Sequence, residues 1–121
     1  MKLKLFEGEY SVCRPRVLAD VPIEDEFWFL AKTDEELSLV CRSESVPDDV
    51  EKSESGWRLM RVEGVLVFSL TGILADLSGV LARAGVSIFA VSTYNTDYLL
   101  VKNDVLSTAL QALREAGHSV E

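Results

Sequence analysis

The chain has 121 residues, 48% of them apolar and 26% charged, enough for one compact unit or two very small ones without disulfide staples. Its formal net charge of −8 argues against nucleic acid as a partner, because neutralising phosphates takes a basic face. No apolar run approaches the ~18–20 residues that span a bilayer, and the start, MKLKLFEGEYS, lacks the apolar core of a signal peptide, so a cytoplasmic address with no membrane partner is expected.

In chain order, residues 3–6 and 9–14 read as strands, the second stopped by Pro15. Residues 17–26, with their acids and Pro22, present no helical face. Residues 27–33 and 37–42 form a hairpin across Asp34, Glu35 and Glu36. From Ser43 to Gly56 five carboxylates (Glu44, Asp48, Asp49, Glu51, Glu54) face Lys52 alone, and the Ser, Pro and Gly content reads as a solvated connector with one helical turn after Pro47. A calcium loop is the sharper reading of those acids, but they lack the alternate spacing and Gly of an EF-hand.

Residues 57–62 alternate as a strand, and residues 64–68 either extend it or lead into a helix. That helix is expected over about residues 72–84. Ile73, Leu74, Leu77, Val80, Leu81 and Ala84 recur at three- and four-residue spacing, Ser69 or Thr71 can cap the start, and Gly85 supplies the stop. Residues 86–93 form a strand apolar on both faces, with Val86, Ile88 and Ala90 on one side and Phe89 and Val91 on the other. A polar turn leads to the strand at 98–101. A last helix follows, capped by Asp104, striped by Val105, Leu106, Ala109, Leu110 and Leu113, and ended by Gly117. Two amphipathic helices on one face of an antiparallel sheet give an α/β sandwich in βαββαβ order.

Cys13 and Cys41 sit in apolar runs and read as reduced, buried thiols; a disulfide between adjacent strands and a catalytic thiol are the alternatives. The one histidine, His118, makes no constellation with them, so nucleophile–base chemistry and a closed zinc site are both weakly supported. A repeat is also visible. Phe29 to Thr33, a polar turn and Leu37 to Val40 parallel Phe89 to Thr93, a polar turn and Tyr98 to Val101.

Leu70-Thr71-Gly72-Ile73-Leu74, followed by Leu81-Ala82-Arg83-Ala84-Gly85-Val86-Ser87-Ile88, resembles the loop, first helix and second strand of an ACT domain, a small-molecule regulatory module known from aspartate kinases. Ser92-Thr93-Tyr94-Asn95-Thr96-Asp97 resembles, more narrowly, the ACT proteins grouped with the CASTOR arginine sensors. The resemblance implies an α+β, ferredoxin-like ACT sandwich over residues 57–121. The repeat makes residues 1–56 a degenerate ACT-like unit with an acidic connector. Thr71 stands where many ACT domains carry Pro, and no Asp or Asn precedes it.

A helix start leaves amides unpaired at the positive end of its dipole, so a carboxylate fits there. Gly72 lets a ligand approach the backbone, and Ser69 and Thr71 add hydroxyls. Across the sheet, Asn95, Thr96 and Asp97 offer polar groups, with Asp97 placed to balance an ammonium or guanidinium. The same residues also suit helix caps and an ordinary hairpin turn. With the resemblance, the ligand-binding set becomes Ser69, Leu70, Thr71, Gly72, Ile73, Thr93, Tyr94, Asn95, Thr96 and Asp97. The expected ligand is a free amino acid, arginine or another cationic one first, bound without metal or cofactor to a non-catalytic homodimer or to a module with a regulatory protein partner. The competing expectation is an oligomerisation module with no ligand; a small enzyme using Cys13 or Cys41 is the third.

Overall fold

The computed structural model describes residues 1–64 and 72–121. Among these residues, eight strands and two α-helices follow in the order β1 (Lys2–Leu5), β2 (Tyr10–Pro15), β3 (Trp28–Lys32), β4 (Leu37–Arg42), β5 (Val50–Val62), α1 (Ile73–Arg83), β6 (Phe89–Ser92), β7 (Asp97–Lys102), α2 (Leu106–Glu115) and β8 (Ser119–Val120). Short 3-10 turns lie at Leu18–Asp20, Ser43–Ser45 and Asn103–Val105. The chain divides into two compact units, residues 8–57 and residues 1–7 with 58–121, and β5 contributes to each. The first seven residues therefore group with the C-terminal unit, whereas the sequence division placed them with the N-terminal one.

The larger unit has the strand order β6-β7-β5-β1-β8. Relative to βαββαβ order, β1 is an added strand, antiparallel to β5 (Lys4 opposite Arg61) and parallel to β8 (Leu3 opposite Val120). The parallel pair follows from that insertion. β1 reverses β5, and β8 lies alongside β1. Alternation sends Leu3, Met60, Val62, Leu99 and Val101 to the helix side, where they pack with Leu77, Val80 and Leu81 of α1 and Ala109 and Leu113 of α2. Fully burying each such aliphatic side chain contributes ~1.5–3 kcal/mol.

In the unit of residues 8–57 the order is β3-β4-β2-β5, the ferredoxin-like order with 3-10 turns where the helices would lie. Its core is small: Cys13, Val21, Leu39 and Cys41, flanked by Trp28, Leu30, Val46 and Val50. The hairpins of the two units share one register. Phe29 faces Val40 and Lys32 faces Leu37, while Phe89 faces Leu100 and Ser92 faces Asp97, each sixty residues on.

Three local expectations are corrected. The segment read as a connector after Pro47 enters β5 at Val50 and runs on as strand, with Glu54, Ser53 and Lys52 opposite Val12, Cys13 and Arg14 of β2. Two of its carboxylates are paired, Asp49 with Arg16 at 2.9 Å and Glu51 with Arg14 at 3.5 Å, and residues 51–55 are exposed, so the segment is solvated as expected but extended rather than a loose connector. At α1 the N-cap is Gly72, with φ +84°, and Ser69 and Thr71, expected as caps, lie outside the described residues. At α2 the N-cap is Val105, because Asp104 is drawn into the 3-10 turn before it. The strand expected from Val86 begins at Phe89; Val86 is buried and Ile88 packs on the helix-side core, while Phe89 and Val91 are half-buried. No described helix is long and apolar enough to cross a membrane.

Candidate functional site

All described candidate residues belong to the larger unit. β5 ends at Val62, and the chain reaches Gly72 and α1 through residues 65–71. Ser69, Leu70 and Thr71 of the expected set lie in that stretch, outside the described residues. Gly72 is exposed, and a methyl group added to it would meet nothing within 4 Å. Its left-handed φ is one that L side chains rarely adopt, so glycine is required by conformation as well as by access. Ile73, in contrast, is half-buried against the core.

The β6–β7 turn lies at the same end of the sheet. The Thr96 hydroxyl, 7% exposed, donates to the Val62 carbonyl at 2.6 Å and ties the turn to the end of β5. Thr93 closes the turn, its amide and hydroxyl donating to the Thr96 carbonyl at 2.8 and 3.0 Å. Tyr94, 82% exposed, and Asn95 stand out from it. Asp97 opens β7 on the same side as Leu99 and Val101, the helix side. The Ser92 hydroxyl donates to its carboxylate at 2.6 Å, leaving the other oxygen to serve a further donor.

Arg61 and Glu63, which sequence reasoning passed over, lie on the opposite face. Together with Val62, Gly64, Asn95, Thr96 and Tyr98 they line a hollow of ≈ 260 Å³. The Arg61 guanidinium meets Glu63 at 3.3 Å. A hydrogen bond with Tyr98, aided by the Glu63 carboxylate, raises its pKa against the opposing effect of burial. Two charges of opposite sign at i and i+2 where the strand ends were the available signal, since that spacing puts both on one face. Asp97 and Gly72 are not among the residues that line this hollow.

The remaining titratable groups offer little chemistry. His118, nearly buried, bridges the N-terminal amine of Met1 (Nδ1, 2.9 Å) and Asp76 in the first turn of α1 (Nε2, 3.1 Å). Cys13 and Cys41 are free and buried, and burial pushes the Cys41 thiol up to about 12, which leaves it protonated and a poor nucleophile. Among the described residues, no group of three His, Cys, Asp or Glu side chains could hold a metal ion.

A family model for the ACT domain matches residues 52–115, and a second model, describing an N-terminal domain, matches residues 8–49. The chain is 33% identical over 85 residues to the human protein named cytosolic arginine sensor for mTORC1 subunit 1. That match covers 64% of this chain but 26% of the sensor, so the alignment spans about a quarter of the curated relative. Among solved structures, protein Atu0741 from Agrobacterium tumefaciens superposes with a TM-score of 0.88 at 34% identity, over 99% of this chain and 91% of that one. The regulatory subunit of aspartate kinase from Thermus thermophilus superposes with a TM-score of 0.64 at 10% identity, over 95% and 97% of the two chains, a likeness of fold alone.

Proposed function

This chain belongs to the ACT-domain family, and on that footing we propose that it is a regulatory, non-catalytic module that binds a free amino acid. The observation that carries the reading is a pair of groups at one end of the larger unit's sheet. A left-handed glycine opens α1, whose first-turn amides have no partner within the helix, and Asp97 stands on the helix side with one carboxylate oxygen given to Ser92. The ligand's carboxylate takes the amides around residues 71–73, where the helix dipole favours an anion. Its cationic end takes Asp97. Thr93, Tyr94, Asn95 and Thr96 shape the turn beside it. Arginine or another cationic amino acid is the first candidate, because Asp97 would balance its charge and the human relative is named an arginine sensor. A cytoplasmic setting is part of the same reading.

We also read the molecule as a homodimer or as one half of a regulatory complex. Among the described residues β6 pairs only with β7, and an open groove of ≈ 740 Å³ runs along α1 past Ala75, Gly79 and Ala82 to Val86 and Ile88. Thermal-shift measurements against the free amino acids test ligand binding, since a ligand at 100 times its Kd adds ~2.7 kcal/mol to apparent stability. Absence of any shift with every amino acid would leave the ligand-free oligomerisation module as the function, and light scattering would read its state. Isothermal titration of the best ligand against Gly72→Val then tests the approach to the helix start: binding should vanish.

A further inference from the structure

We propose that the sheet face turned away from the helices carries a second site, in which Arg61 and Glu63 together hold the zwitterionic head of a free α-amino acid. The two side chains are only 27% and 31% exposed and border a hollow of ≈ 260 Å³ with Asn95 and Tyr98. That volume lies just below the range of pockets that take drug-sized ligands, so a small metabolite fits and a nucleotide does not.

The chemistry of the pair decides the ligand class. Arg61 and Glu63 touch through one nitrogen and one oxygen at 3.3 Å, well short of the two-pronged geometry that makes an arginine–carboxylate pair strong. A ligand carboxylate can take the guanidinium fork in place of Glu63 and Tyr98 while Glu63 turns to the ligand's ammonium, and neither protein charge is then stranded without a partner. The surroundings favour the exchange. Arg61 stands directly opposite Lys4 across β1 and β5, an arrangement that repels, and both cations lie 5.0 Å from the Phe6 ring centroid. A second carboxylate near Arg61 relieves that repulsion. The Asn95 side chain, exposed on the turn that borders the hollow, offers both a donor and an acceptor to the head group.

The site lies on the other face of the sheet from Asp97, so the two are separable. In full-length protein carrying Asp97→Asn, to silence the helix side, glycine, alanine and glutamate are titrated while the Arg61 Nε–Hε and Asn95 side-chain amide signals are followed by NMR. Glycine should move both signals saturably. Acetate and methylamine, each half of the head group, should bind about tenfold more weakly or worse, the loss of one charged hydrogen bond. Glu63→Gln and Arg61→Gln should each weaken glycine by about tenfold or more. Arg61→Lys, which keeps the charge and loses the fork, should weaken it too and guards against a folding defect in Arg61→Gln. The proposal is overturned if no amino acid moves these signals, if Glu63→Gln titrates like its parent, or if acetate binds as tightly as glycine. Signals that move only when Asp97 is intact would assign all binding to the helix side and overturn it equally.

Discussion

The hairpin β3–β4 and the hairpin β6–β7 are one backbone carrying two chemistries. Thr33 closes the first turn by donating its amide to the Glu36 carbonyl at 2.9 Å; Thr93 closes the second with the Thr96 carbonyl at 2.8 Å. In each, the three residues from Leu39 to Cys41 or from Leu99 to Val101 are buried, and a 3-10 turn follows the second strand. The flanking positions differ. Lys32 and Leu37 stand where Ser92 and Asp97 form a hydrogen-bonded pair. After the 3-10 turn the first copy passes into β5, and the second builds α2. Turn closure by threonine and main chain is therefore separable from the side chains that could meet a ligand, and the first hairpin keeps only the former.

The largest expected difference between the copies is in packing. Leu77 of α1 is fully buried in the core that both helices and the sheet form, whereas Val21 belongs to the small cluster of the helix-less unit. Leu77→Ala should cost about 3 kcal/mol in urea unfolding, the transfer loss plus an unrelaxed cavity. Val21→Ala removes less volume from a shallower cluster and should cost about 1–2 kcal/mol. Equal losses would mean that the helix-less unit is packed as tightly as the other, and the comparison would fail on its structural side.

Next in size is binding. Asp97→Asn should lose about 2 kcal/mol of amino-acid affinity, roughly thirtyfold in Kd, because the ligand's cation would be left without its charged partner. The matching change in the other hairpin, Leu37→Asn, should leave affinity unchanged. Isothermal titration with the best ligand from the thermal screen reads both. An Asp97→Asn protein that binds like its parent would make the second hairpin as chemically silent as the first.

Much of this architecture was legible because it is local. The stripes on α1 and α2, the glycine stops at Gly85 and Gly117, and both hairpins are written in short-range spacing. The hairpin likeness was visible too, since equal turn lengths and a threonine before each turn keep the two hairpins in step. What escaped depends on distant partners. The insertion of β1 between β5 and β8 leaves no mark on the four residues that form it. β5 was cut short because its acidic first half is exposed, as a connector would be, and only its pairing with β2 shows it to be strand. Asn95, Thr96 and Asp97 could be singled out as a polar turn, but the approach of Asn95 and Thr96 to Arg61 and Glu63 comes from the long-range bond of Thr96 to Val62.

The smallest effect separates the shared turn from the added tether. Thr96→Val keeps the shape of the side chain and deletes only its hydroxyl. The Val62 carbonyl then loses a buried 2.6 Å donor, and the change should cost about 1–2 kcal/mol. At the equivalent position of the first hairpin stands Glu36, exposed, whose carbonyl serves the same turn. Thr33→Val and Thr93→Val remove turn bonds at exposed positions and should each cost only about 0.5 kcal/mol. They should also cost nearly the same as each other if the two turns are one device. Chemical denaturation of the three variants reads all of this at once. A Thr96→Val loss no larger than that of Thr93→Val would mean that the tether to β5 adds nothing beyond the turn, and that the second hairpin is held at the sheet's end by its strands alone.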